Sequence, residues 1–238
     1  MVKTRGRRVA TALLGSVAVV VTLAGAALWW VVLRDDTPAQ AALVERTVVA
    51  TEPATEHQLD GTWSVVPADD VWAGYRITEH VGAIDNVAVA RTDDVDASLT
   101  IAGTEVTKVT AVVNMASLKS QDSELPGVGA RDQAMRGAGL QTDLHPTATF
   151  TLTEPIHVGA LPQPGAEVVA QAVGTLDLHG VVRPVTIPIR ARWNGKVIDL
   201  TGSVDVTLLD YGVEPPAPKV VTLAKTGTVE FQLTFARS

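Results

Sequence analysis

"GTLDLHGVVRPVTIPIRARW", Gly174 to Trp193, is the stretch whose reading decides the fold. Val185, Ile187, Ile189, Ala191 and Trp193 fall on one side of an extended chain, and Thr186, Pro188, Arg190 and Arg192 fall on the other. That is the period of a half-buried strand. Leu176 and Leu178 show the same period before the break. Gly180 reaches backbone angles closed to other residues, and Pro184 fixes its own φ and lacks a donor N–H, so "HGVVRP" ends one ladder and starts another. His179 in that interruption has two readings. It holds a hairpin through hydrogen bonds from its ring nitrogens, or it serves acid–base chemistry. The hairpin reading leads.

Working outward, strand-like runs recur over Thr62 to Val66, Val71 to Glu79, Val87 to Arg91, Asp96 to Ala102, Val106 to Met115, Thr147 to His157, Val168 to Leu178, Val197 to Leu208 and Thr228 to Phe235. In "VIDLTGSVDVTL" and "TVEFQLTF" the alternation is nearly perfect, one face for a core and one for water. Asn194-Gly195 between two such runs predicts a type I′ hairpin. Many strands on short turns, with no recurring helix between them, predict an antiparallel barrel or sandwich. One connection breaks the pattern. Residues 116–146 are too long a link to be idle, and "ARDQAMRGAG" within it predicts one to three helical turns stopped by glycines, a lid or a plug.

The chain has 238 residues, within the range of a single all-β domain. Its wealth of Val and Thr suits strands, and only 4% aromatic residues make the expected core aliphatic. Cysteine is absent, which excludes disulfides, thiolate catalysis, Cys-based metal sites and an acylated lipoprotein cysteine. The formal charge of −7 averages two unlike parts: Lys3, Arg5, Arg7 and Arg8 precede a remainder that is more acidic still. Such a remainder is a poor match for phosphates, so nucleic acid is not an expected partner.

The 25 uncharged residues Val9 to Leu33 would be about 37 Å long as a helix, against a hydrocarbon core of roughly 30 Å. With the basic flank before them and Trp29 and Trp30 near the far end, they predict a single-pass anchor with a cytoplasmic N-terminus and an extracellular domain. The small-x-small "AQA" at Ala39 to Ala41 fits a cleaved leader instead, but a leader's apolar stretch is usually shorter. The expected organisation is a cytoplasmic segment 1–8, an anchor 9–33, a linker 34–58 and a domain 59–238.

Five scattered histidines show no metal-ligand spacing, and "GVGARD" does not stand between a strand and a helix as a dinucleotide fingerprint must. No phosphate-binding loop or nucleophile elbow occurs, so neither a cofactor, a metal nor catalysis is expected. Arg131 and Asp132 have two readings. Asp132 caps the short helix while Arg131 pairs with a carboxylate or carbonyl, or Arg131 offers its guanidinium to an anionic headgroup at a cavity mouth. Trp63, Trp72, Tyr75 and Trp193 read first as core fillers and second as a ligand cage.

"GYRITE" (Gly74 to Glu79), "ARDQAM" (Ala130 to Met135), "HPTATF" (His145 to Phe150), "GTLDLHGVVRPV" (Gly174 to Val185), "LDYGV" (Leu209 to Val213) and "GTVEFQLTF" together resemble the YceI-like family of secreted or periplasmic proteins, over nearly all of residues 59–237. The anchored, Ala- and Val-rich form resembles actinobacterial members. The resemblance implies an all-β, lipocalin-like antiparallel β-barrel that holds a polyisoprenoid chain. "GTW" at Gly61 to Trp63 is also similar to the opening of true lipocalins. Candidate ligand contacts are then Arg131, Asp132, Phe150, His179, Trp72 and Tyr75. Two departures stand out. Leu208 lies where family members commonly carry Arg, and "GAGLQTDL" replaces a bulky aromatic pair. The leading expectation is an exported, membrane-anchored binder of a quinone or polyprenyl phosphate. The alternative is a structural or stress-related envelope protein with a filled barrel.

Overall fold

In the computed structural model, which describes residues 37–81, 84–121, 128–216 and 221–238, the alternating runs are antiparallel strands of one sheet. They are β1 (Gly61–Val65), β2 (Trp72–Val81), β3 (Ile84–Thr92), β4 (Val95–Ala102), β5 (Glu105–Asn114), β6 (Lys119–Ser120), β7 (Thr147–Leu152), β8 (Ile156–His157), β9 (Glu167–Leu178), β10 (Val181–Trp193), β11 (Val197–Thr207) and β12 (Val221–Arg237). The order β1-β4-β5-β7-β9-β10-β11-β12 closes on itself through a second pairing of β1 with β12, where Trp63 sits opposite both Leu99 and Arg237. This circuit is an eight-stranded barrel. β2, β3 and β6 extend the wall from the other half of β12.

Alternation decides which side chains fill the interior. In β9, Ala172, Gly174, Leu176 and Leu178 are buried, Val173, Thr175 and Asp177 between them are half-buried, and Glu167, Val169 and Gln171 before them are exposed. A one-residue slip would turn this set outward, so the pattern fixes the register. The observed β9–β10 ladder runs unbroken from Leu178↔Val181 to Glu167↔Arg192. His179 and Gly180 form its turn with φ of +56° and +73°, the signature of type I′. Val181 is therefore already in the strand, four residues ahead of the run seen in the sequence.

Other strand limits differ for local reasons. The run Thr147 to His157 splits into β7 and β8 around Glu154-Pro155, because proline cannot continue a ladder as a donor. β12 starts at Val221 rather than Thr228, since a bulge between Leu223 and Gly227 breaks the alternation. The Asn194-Gly195 turn is not type I′. Pairing ends at Trp193↔Ile198, and of the two residues only Gly195 has positive φ, +107°. The Asn194 side chain instead accepts from the Lys196 and Val197 N–H groups, both at 2.9 Å, building the turn itself.

The anchor expected at 9–33 and the segment 1–8 lie outside the described residues. Among the described residues, no helix is long and apolar enough to cross a membrane. The segment expected as a free linker is bound to the barrel from Thr37 onward, and the compact unit spans Thr37–Ser238. The Arg76 guanidinium donates to the Pro38 carbonyl, the Ala41 N–H donates to Glu230 at 3.2 Å, and the Val49 N–H donates to the Asn194 carbonyl at 2.8 Å. Physical necessity explains the strap. Glu230 and Asp199 point outward from β12 and β11 yet are only 1% and 2% exposed, and buried carboxylates require partners. Arg76 and Arg91 pair with Glu230, while Arg46 from the strap reaches Asp199 at 2.8 Å and Asp70 at 2.7 Å. The hydrogen bond to Asp199 raises the Arg46 pKa further above its ordinary range.

Candidate functional site

Inside the barrel three apolar compartments follow one another. The helix-end compartment holds about 80 Å³ and the central and far compartments about 110 Å³ each, as space open to the centre of a water-sized sphere. Since roughly 10–15 Å³ by this measure admits one water, these are chambers rather than packing defects. The helix-end and central chambers share walls at Ala73, Val113, Ala148, Leu176 and Val229. The central and far chambers share Val109, Ile156, Ile189 and Leu200. They form a segmented lumen. Every side chain lining the central chamber is apolar except that of Glu230, whose carboxylate turns outward to Arg76 and Arg91.

Two glycines widen this lumen. A Cβ on Gly174 would stand 2.6 Å from the Phe150 ring, and one on Gly202 would stand 2.7 Å from the Phe231 ring. Each ring therefore lies against the wall in the space a side chain would take. The far end is plugged. Helix α1 (Glu56–Leu59) buries Leu59, whose carbonyl accepts from the Trp63 indole at 2.7 Å, and Trp193 joins the same cluster. At the opposite end, Met115, Leu118, Leu140 and Val213 close over the lumen. Leu118 precedes β6, and Leu140 follows helix α2 (Val128–Ala134) and the π-helical turn Met135–Gly139, which answers to the helical stretch expected in the long connection.

The candidate contact residues are not gathered at one place. Phe150 lines the central chamber and Tyr75 the helix-end chamber. Trp72 points outward, where the Arg91 guanidinium stacks 3.6 Å from its ring centroid. Asp132 is not a helix cap. It sits within α2 and its carboxylate accepts from the Ser120 N–H, at 3.1 Å, and from the Ser120 hydroxyl, tying the helix to β6. Arg131 donates to Ser120 Oγ at 2.8 Å and lies 3.6 Å from Glu79. His179 stands at the β9–β10 turn. Its Nδ1 is 3.1 Å from the Tyr211 carbonyl, which only accepts, so Nδ1 carries a hydrogen and donates it. The His145 ring packs 4.5 Å from it, centroid to centroid. Tyr211 beneath this turn is buried, and burial pushes its phenol pKa up.

Reasoning from the sequence missed the closing residues Met115, Leu118, Leu140 and Val213 and the glycine–phenylalanine pairs. The first set carried a signal, being apolar residues inside or beside connections. The pairs carried none, because Gly174 meets Phe150 across neighbouring strands.

A YceI-like domain describes residues 67–235, from just before β2 to near the end of β12. The chain belongs to the YceI-like family. No curated protein matches it. Among solved structures, a polyisoprenoid binding domain from Saccharophagus degradans, implicated in plant cell wall breakdown, is similar at 17% identity with a TM-score of 0.53, over 74% of this chain and 98% of that one. BcnA of Burkholderia cenocepacia is similar at 16% identity with a TM-score of 0.51, over 68% and 95%. At these identities the likeness is one of fold. Within this YceI-like barrel, Leu208 lines the helix-end chamber beside Val213 and Gly227.

Proposed function

We propose that the domain holds the prenyl chain of an isoprenoid lipid in its lumen, and that the apolar span 9–33 keeps it exported and tethered at the outer face of a cell membrane. One observation carries the reading: a segmented lumen whose central chamber is lined by apolar side chains, with its single carboxylate facing away. Burial of apolar surface is worth about 25 cal/mol per Å², so a chain burying several hundred Å² gains enough to offset the cost of ordering a flexible lipid. The polyisoprenoid-binding description of the Saccharophagus degradans domain supports the same ligand class.

Of the two headgroups expected, the uncharged quinone type fits better. A phosphate needs a cation, whereas Leu208 makes the helix-end chamber apolar and Arg131 is held by Ser120 and Glu79. The bound state of the Ala39–Ala41 segment supports retention of the anchor. The Ala39 carbonyl accepts from Arg76 and Arg91, and Ala41 donates to Glu230.

The test is the content of residues 37–238, which include the strap, expressed with access to bacterial membranes and purified without detergent. An organic extract should contain a lipid whose masses follow a repeating isoprene series, and added prenylated quinone should exchange with it. An empty extract, with no binding and no rise in melting temperature on adding prenyl lipids, would leave the filled-barrel envelope protein as the better reading.

A further inference from the structure

β10 and β11 are neighbours in the barrel, but their backbone ladder stops early. It runs from Trp193↔Ile198 to Ile189↔Gly202. Beyond that point β10 continues to Val181 bonded to β9, and β11 continues to Thr207 bonded to β12. Among the described residues, β10 and β11 share no residue pairing beyond Ile189↔Gly202.

The sequence explains the gap. In a two-residue hairpin the closing pair, here Leu178 and Val181, exchanges its bonds, and bonded positions then alternate along the ladder. Odd-numbered residues of β10 therefore bond to β9, and even-numbered ones face β11. Pro184 and Pro188 are both even and lack the N–H that β11 would need. Continuing the register along β11 sets Pro188 opposite Ser203 and Thr186 opposite Asp205. Side chains hold this seam where a backbone ladder is missing. At its head the Arg183 Nε donates to the Asp210 carbonyl at 2.6 Å, next to the contact of His179 with Tyr211. Along it Ile187, Val204 and Val206 face the central and helix-end chambers. Val182 and Leu209, 60% and 59% exposed, give an approaching apolar chain an apolar first contact.

We propose that the seam between β10 and β11 is the lateral port through which the prenyl chain enters and leaves the lumen. The proposal rests on the lumen as the lipid site. Passage here parts side chains without breaking a backbone ladder, whereas passage through either end displaces the α1 plug or the residues around Leu140.

Because the chain has no cysteine, Thr186→Cys with Asp205→Cys places a unique thiol pair across the seam. The full chain is placed in phospholipid nanodiscs, and transfer of a prenylated quinone from donor vesicles is timed before and after bridging with a short bis-maleimide. Bridging should slow transfer at least tenfold, while the two singly labelled variants transfer normally and quinone loaded beforehand stays bound. A second variant, Pro184→Thr with Pro188→Val, returns both donors and should slow transfer in the same direction. Unchanged rates in the bridged protein and in the proline variant overturn the port. If the unmodified protein binds no quinone at equilibrium, the lumen reading itself fails, and the port with it.

Discussion

Gly174 and Gly202 set the bore of the lumen by lacking side chains. A methyl at Gly174 would meet the Phe150 ring and the Thr151 carbonyl, and one at Gly202 the Phe231 ring and the Pro188 carbonyl, so each position tolerates no side chain beside its ring. His179 acts differently, through its turn. It holds φ of +56°, costly for a residue with a Cβ, and its ring spans to the Tyr211 carbonyl. His179→Ala should lower stability by roughly 1–3 kcal/mol through the lost hydrogen bond to the Tyr211 carbonyl, with lipid affinity of the folded protein unchanged, as chemical denaturation and quinone titration would show. A tenfold loss of affinity at unchanged stability would assign His179 to the ligand instead. This turn was legible in the sequence, since a short polar break ending in glycine between alternating runs has few other structures. The glycine–phenylalanine pairs were not, because they join residues on different strands.

Among the elements, the strap is the one whose role the sequence hid. Residues 37–58 have no sustained period, so they read as a tether, yet isolated side chains dock them. Arg46 bonds to Asp199, Asp70 and Thr234, and Leu43 is buried. The signal was on the other side of the contact. Asp199 and Glu230 sit on the polar faces of alternating strands, where charge normally means water, and only the folded wall shows them covered. Arg46→Met should destabilise the fold by roughly 1–3 kcal/mol, measured by denaturant titration, because it strands the buried Asp199 carboxylate with fewer donors. Stability equal to the parent would mean that the strap does not hold the wall. β10 carries its own lesson at this scale. Its alternation announced a strand, and Pro184, read as punctuation, proves as compatible with that strand as Pro188, because the missing donors of both face the unpaired side.

For the whole molecule, alternation and short turns left a barrel and a sandwich both open, the family resemblance implied the barrel, and neither carried the emptiness of the interior. Aliphatic strands specify a core, and the same residue types line both a packed core and a chamber. What distinguishes them is the sum of small side chains around the circumference, Ala97, Ala111, Ala148 and Ala172 among them, and that sum depends on register between strands distant in sequence. The position of a ligand in this lumen can be tested by filling it. Ala172→Phe places a ring in the central chamber, where open space spares it the usual overpacking cost of roughly 1–3 kcal/mol. The measurement is the binding stoichiometry of a prenylated quinone to parent and Ala172→Phe domains, alongside their melting temperatures. The expected result is a variant that melts no lower than the unliganded parent and binds no quinone. A variant equally stable that still binds one quinone per chain with parental affinity would contradict a lumenal site.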